Sequence, residues 1–163
     1  VEIREATDAD WPRIWPFWHE IIAAGDTYDW DPETDEPTAR GYWMQRPPGR
    51  TFVAADGKDG EIAGTYKMGP NRAKLGDHIA NTSYMVDPAR HGKGVGRKLV
   101  EHSIEQCRSD GYRAIVFNAV IETNVYAVKL YLDLGFEIIG TIPAGFRHPT
   151  RGFVGYHIMH LKL

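Results

Sequence analysis

Val86-Asp87-Pro88-Ala89-Arg90-His91-Gly92-Lys93-Gly94-Val95-Gly96-Arg97-Lys98-Leu99 is the stretch whose reading decides the fold. The apolar run Tyr84-Met85-Val86 ends at a turn signal, Asp87-Pro88, and three alternating glycines follow. Helical periodicity starts directly after them, with Val95, Leu99, Val100, Ile104 and Cys107 on one stripe. The order is strand, glycine loop, helix start. Glycine tolerates positive φ and lets backbone come close to a ligand. Unpaired N–H groups at a helix start, together with the helix dipole, attract phosphate. Lys93, Arg97 and Lys98 add positive charge. The stretch reads as a phosphate cradle.

Working outward toward the N-terminus, residues 78–86 form the strand that feeds the cradle, and residues 51–55 and 61–68 form two more. A turn at 56–60 joins those two, so an antiparallel meander precedes the loop. Residues 1–5 alternate as a first strand. Thr7 or Asp8 caps a helix in which Ile14, Trp15, Trp18, Ile21 and Ile22 recur. Pro12 suits its first turn, whereas Pro16 predicts a kink or a break. Residues 25–37 are a polar loop carrying Tyr28 and Trp30 among acids. Two readings stand: a solvated connection, or a loop facing substrate. Residues 38–45 form a second helix, capped by Thr34 or Thr38.

Working toward the C-terminus, residues 113–120 form a strand, 124–134 a helix with Gly135 at its end, and 136–142 a strand. Residues 143–152 read as a loop and 153–161 as a last strand. The order β α α β β β α β α β β predicts an α/β (α+β) chain with a mixed sheet, about seven strands and about four helices on both faces. The unit over 78–120 is a right-handed parallel crossover.

The 163 residues, 42% apolar and 25% charged, suit a single domain over 1–163. A net charge of −3 argues against nucleic-acid binding. The basic patch at 90–98 inside a slightly acidic chain points to one small anionic ligand. With Cys107 as the sole cysteine, no intramolecular disulfide or cysteine-based metal site can form, and no metal is expected. No apolar run reaches the roughly 18–20 residues of a membrane span, and no signal-peptide pattern opens the sequence. No membrane partner and a cytoplasmic location are the expectations.

Two common phosphate loops do not fit. There is no G-x-x-x-x-G-K-[ST], and the spacing is G-x-G-x-G rather than G-x-G-x-x-G. No acidic residue stands where a ribose partner is needed. The loop instead resembles that of the GNAT acetyltransferase superfamily, [RQ]-x-x-G-x-[GA] between a strand and a helix, with His91 at the usual Arg or Gln position and Arg90 one residue early. A second block, Asn124-Val-Tyr-Ala-Val-Lys-Leu-Tyr131-Leu-Asp-Leu-Gly-Phe, resembles the family pattern N-x-x-[AS]-x-x-[LF]-Y-x-x-x-G-F. Together the blocks cover residues 50–160.

The resemblance implies a splayed central sheet and acetyl-CoA as cofactor, its pyrophosphate held by backbone N–H groups of His91, Gly92, Lys93, Gly94, Val95, Gly96 and Arg97. It implies a pantetheine arm paired with the free backbone of Tyr84 and Val86, an N–H near Met85 facing the oxyanion, and a contact from Asn124. Tyr131, on a helix stripe otherwise read as core, becomes the acid that protonates the departing thiolate. A narrower similarity joins the segments around Gly64, Asn81, Asn118 and Ala144-Gly-Phe-Arg-His148 to acetyltransferases of proline analogues and of phosphinothricin. In the second group a Glu serves as base where Asn81 stands, and Asn81 cannot take a proton. Asn118 matches an Asn used by the first group. The expected acceptor is the amine of a small amino or imino acid, with Tyr28, Trp30, Asn81 and Arg147 (or Arg72) around it. Glu122, His78 and His148 are candidate bases. A catalytically silent acyl-CoA-binding module, a dinucleotide binder, and an enzyme for peptide N-termini, polyamines or aminoglycosides remain alternatives. A homodimer is expected from the family resemblance alone.

Overall fold

The computed structural model describes residues 1–57 and 59–163. In chain order its elements are β1 (Glu2–Glu5), α1 (Trp11–Ala24), α2 (Glu36–Trp43), β2 (Arg50–Ala55), β3 (Ile62–Pro70), β4 (Ile79–Val86), α3 (Val95–Ser109), β5 (Ala114–Ile121), α4 (Val125–Asp133), β6 (Glu137–His148) and β7 (Gly152–Lys162). The seven strands make one mixed sheet in the order β1-β2-β3-β4-β5-β7-β6. The turn expected at 56–60 includes Lys58, which lies outside the described residues.

Alternation along β2 shows why the sheet is covered on both faces. Phe52 and Ala54 point to one core with Tyr66, Leu99, Ile115 and Phe117, under α3 and α4. Val53 and Ala55 point to the other with Ile14, Trp18, Trp43 and Met85, under α1 and α2. A strand buried on both faces reads as an unbroken apolar run, as 52–55 does.

Asp10 fastens β1 to α1. Its buried carboxylate takes two bonds from the Arg4 guanidinium, both 2.8 Å, one from Arg13 at 2.7 Å and one from the Thr7 N–H at 2.8 Å. The Arg4 bonds, above all, hold its pKa at about 2.

Three expectations change. Pro16 does not break α1, which runs unbroken to Ala24. Burial of Trp11, Ile14, Phe17, Trp18 and Ile22 outweighs one missing backbone bond. The second helix is capped by Asp35, not by a threonine: its carboxylate accepts from the Thr38 N–H at 2.9 Å. Most of the loop expected at 143–152 is strand. β6 continues to His148 by absorbing extra residues as irregularities between Ile138 and Gly140 and between Ile142 and Phe146.

The feature that positions the site is a short ladder. β4 and β5 pair in parallel only from Ile79 to Asn81 and from Ala114 to Val116, although the strands run on to Val86 and Ile121. Beyond Asn81 they part and leave a gap. Asn81 Nδ2 donates to the Val116 carbonyl at 2.9 Å in the last pair before the split. On its other side β5 carries one extra residue between Phe117 and Val120 relative to β7, a bulge at Asn118 and Ala119.

Candidate active site

A cavity of about 640 Å³ fills the gap. Its walls are β4 from Asn81 to Val86, β5 from Phe117 to Ile121, one side of α4, and the segment from α1 through Trp30. In an antiparallel pair, successive peptide groups alternate between the neighbouring strand and the opposite side. The Asp87 N–H donates to the Ala63 carbonyl and the Tyr84 carbonyl accepts from Tyr28, which sets the phase. The peptide groups of Tyr84 and Val86 therefore face the gap. Those of Met85 face β3, and its side chain is buried against α1. An oxyanion donor at Met85 itself is excluded by that alternation, and its neighbours offer the available N–H groups.

At one end the gap meets a second cavity of about 220 Å³, lined by Val86, Arg90, His91, Gly92, Gly94, Val95, Gly96 and Tyr126. Gly92 and Gly94 take φ of 78° and 74°, values that favour glycine. Gly94 is the N-cap of α3, and the bond from the Lys98 N–H to its carbonyl closes the first helical turn. The N–H groups of Val95, Gly96 and Arg97 are thus left without intrahelical acceptors. Lys93 and Lys98 make no ion pair among the described residues, whereas Arg97 lies 3.5 Å from Glu101 and 3.6 Å from Asp133. Arg90 does not stand in for the missing Arg or Gln side chain, because its guanidinium is paired with Glu61 and Asp56. His91 is exposed and lines both cavities.

Besides the exposed Tyr126, three tyrosines wall the gap, and burial pushes the pKa of each of these three phenols upward. Tyr28 donates to the Tyr84 carbonyl at 2.7 Å. The Tyr84 hydroxyl lies 2.7 Å from both Thr82 Oγ1 and Ser103 Oγ. Tyr131 packs against Phe117 with centroids 4.4 Å apart, and its hydroxyl has no hydrogen-bond partner among the described residues. It is the one phenol of the three left open to a molecule in the cavity. Asn124 caps α4 and also lines the cavity. Asn118, turned by the bulge, donates from Nδ2 to Asn71 Oδ1 at 2.7 Å and borders the cavity.

Other expected residues fall elsewhere. Arg147 is exposed on β6, its guanidinium 5.7 Å over the Phe153 ring, and does not line the cavity. Arg72 is also outside the lining. The Glu122 carboxylate accepts from the Gly155 N–H at 2.8 Å, and His148 Nδ1 accepts from the Thr150 and Arg151 N–H groups within a tight turn. These two and His78 lie outside the cavity lining.

Trp30 is neither solvated nor free. It packs on Trp18 and Tyr28 at 5.7 and 5.1 Å and lines the cavity. Sequence reasoning missed Glu20, Asp26, Asp29 and Lys67, all of which line the cavity. Lys67 had a signal, a lysine inside the buried run of β3. Asp26 and Asp29 had none beyond their place in a polar loop, and Glu20 none beyond its place on α1. Among the described residues no group of acids, histidines and cysteines is placed to hold a metal, and no helix is long and apolar enough to cross a membrane.

Comparison with known proteins agrees with this geometry. The Acetyltransferase (GNAT) family matches residues 15–136. A GCN5-related N-acetyltransferase structure from Kribbella flavida superposes with a TM-score of 0.95 at 51% identity, covering 99% of this chain and 97% of that one. An L-methionine sulfoximine/L-methionine sulfone acetyltransferase from Pseudomonas aeruginosa is 30% identical over 148 residues, 88% of this chain and 84% of that protein. The N-acetyltransferase aca1 of Schizosaccharomyces pombe is 30% identical over 95 residues, 58% of this chain but 44% of its own length.

Proposed function

The chain belongs to the acetyltransferase (GNAT) family, and on that premise we propose that it transfers the acetyl group of acetyl-CoA to the amine of a small amino-acid-like acceptor. One observation carries the reading. A phosphate cradle at the start of α3 opens into a gap edged by the Tyr84 N–H and the peptide groups of Val86, and the gap holds a buried phenol, Tyr131, with no partner among the described residues. The residues fit the cofactor: open space beside Gly92 and Gly94 admits a pyrophosphate, and the slot between β4 and β5 suits an amide-bearing arm. The methionine sulfoximine/sulfone acetyltransferase relative supports an amino-acid acceptor.

Acetyl-CoA supplies an acyl group already activated as a thioester. In our reading the N–H groups of Val95, Gly96 and Arg97 hold its phosphates, with Lys93 and Lys98 adding charge. The Tyr84 N–H, the peptide groups of Val86 and the Asn124 side chain would fix the arm. Proximity then supplies much of the rate. Tyr131, kept neutral by burial, would give its proton to the departing thiolate, and the proton released by the acceptor nitrogen as the carbon–nitrogen bond forms would pass through water to restore the phenol. Asn118, steadied by Asn71, orients the acceptor, and Tyr28 and Trp30 close the pocket over it. A silent acyl-CoA binder has no use for an open phenol beside the sulfur. A reducing cytosol suits a chain whose single thiol, Cys107, is buried and pushed up to about 12.

The test is thiol release from acetyl-CoA across a panel of free amino acids, peptides, polyamines and aminoglycosides. Release with amino acids is expected. Acetyl-CoA binding without release on any amine would establish the silent module instead, and release only with polyamines, aminoglycosides or peptides would overturn the acceptor class.

A further inference from the structure

Lys67 is the one lysine or arginine that lines the large cavity among the described residues. It sits mid-strand in β3 on the face shared with α1 and α2. Its ammonium lies 5.2 Å from the Trp30 ring centroid and 5.9 Å from that of Trp43, and donates to the Tyr42 carbonyl at 3.2 Å. One of three N–H donors is thus used by the protein. No carboxylate comes within ion-pair distance of it among the described residues, although Glu20, Asp26 and Asp29 line the same cavity. Burial lowers its pKa, the mark of a cation that has lost much of its water. Aromatic faces compensate part of that loss, and an anion compensates far more. Directly across the ladder stands Ser83, in register with Lys67 and on the same face of the sheet. Ser83 also lines the cavity, and its hydroxyl has no hydrogen-bond partner among the described residues.

We propose that Lys67, with Ser83 beside it, anchors the carboxylate of the acceptor and so makes this a site for amino acids rather than for simple amines. The inference rests on the amino-acid reading given above. An ammonium and a hydroxyl side by side match the two oxygens of one carboxylate. The aromatic pair Tyr28 and Trp30 links this anchor to the gap, since Tyr28 reaches the Tyr84 carbonyl and Trp30 underlies Lys67. An acceptor held by its carboxylate at Lys67 is therefore enclosed on the side that leads to Tyr131. The acids of the same cavity disfavour an acceptor whose only charge is negative, and a zwitterion meets both signs. Arg147 and Arg72, the cations expected from sequence to hold the carboxylate, do not line the cavity.

The experiment compares each amino acid that the protein acetylates with its own carboxamide, by initial rates of thiol release. Lys67→Met keeps the aliphatic stem over the two tryptophans, and Lys67→Gln keeps a donor for the Tyr42 carbonyl. In both, the acid-to-amide ratio of kcat/KM falls by roughly tenfold to hundredfold relative to the unsubstituted protein, as loss of a charged hydrogen bond implies. The loss appears in KM for the acid. A folded Lys67→Met or Lys67→Gln protein that keeps the original ratio overturns the anchor and leaves the amino-acid acceptor standing. An unsubstituted protein that acetylates amines but no free amino acid overturns the acceptor reading itself.

Discussion

Tyr131 differs from its neighbours by one hydrogen bond. Tyr28 and Tyr84 spend their hydroxyls on the Tyr84 carbonyl and on Thr82 and Ser103, so they are parts of the wall. Tyr131 spends none on the described residues and has room to serve a ligand. Tyr131→Phe removes only that oxygen and leaves the packing on Phe117 and Phe136 in place. We expect kcat to fall by about 10²–10⁴, the usual worth of a positioned acid, while KM for acetyl-CoA stays within about threefold. Equal losses in turnover and in acetyl-CoA affinity, measured by steady-state kinetics and titration, count against the acid role. At this scale the sequence was a partial guide. Tyr131 and Asn124 were legible because they sit at fixed offsets in one helical block. The orientation of Asn118 was not, since it depends on an extra residue opposite β7 that no local pattern announces. The surroundings of Lys67 were hidden for a related reason, although a lysine inside an apolar strand was a signal: only the fold brings Trp30, Trp43 and Ser83 around it.

At the scale of elements, the proposed grip on phosphate depends on how α3 begins. Gly94 holds φ at 74° as its N-cap, and a methyl group there meets no atom within 4 Å. Substitution therefore acts through the backbone and not through a clash. Gly94→Ala costs about 1–2 kcal/mol if the left-handed conformation is kept. Otherwise the turn relaxes and re-aims the N–H groups of Val95 and Gly96. Gly111, just past the other end of α3, has φ of 87° and equally open surroundings, which makes Gly111→Ala the matched control. Both variants should lose similar thermal stability, but only Gly94→Ala should weaken acetyl-CoA binding, by roughly tenfold on the scale of ~1.4 kcal/mol. Equal acetyl-CoA affinities in calorimetry would remove the helix start from the binding site. The strand, loop and helix around Gly94 could be read directly because each had its own periodicity and the glycines marked the joints. β6 could be read only as far as Ile142: Pro143 and Gly145 look like breakers, and an edge strand with one partner tolerates them as irregularities. Pro16 misled in the same way, because local propensity yields to the burial of Trp11, Ile14 and Trp18.

For the whole molecule the decisive fact is that the sheet is two half-sheets. β1 to β4 and β5, β7 and β6 meet along three paired residues on each strand, and α3 is the covalent bridge across the split. The order of strands followed from the order of motifs, and the parallel crossover from its handedness rule. The splay itself has no signature in composition or periodicity: residues 82–86 and 117–121 read as strands whether or not they pair. A ligand in the gap touches both halves and takes the place of the missing ladder. It binds the folded chain and has no comparable site on the unfolded one, so it must raise the melting temperature. At a concentration of 100 times Kd the gain is about 2.7 kcal/mol. For a chain of this size each kcal/mol shifts the midpoint by about 2–4 °C, so acetyl-CoA should raise it by about 5–11 °C. NAD, which carries a pyrophosphate but no pantetheine arm, reaches the cradle without filling the gap between β4 and β5. At equal concentration it should move the midpoint by less than about 1 °C, the shift of a ligand present at or below its Kd. A shift with NAD and none with acetyl-CoA in the same thermal scan would mean that the cradle serves a dinucleotide and that the splayed strands hold something other than a pantetheine arm.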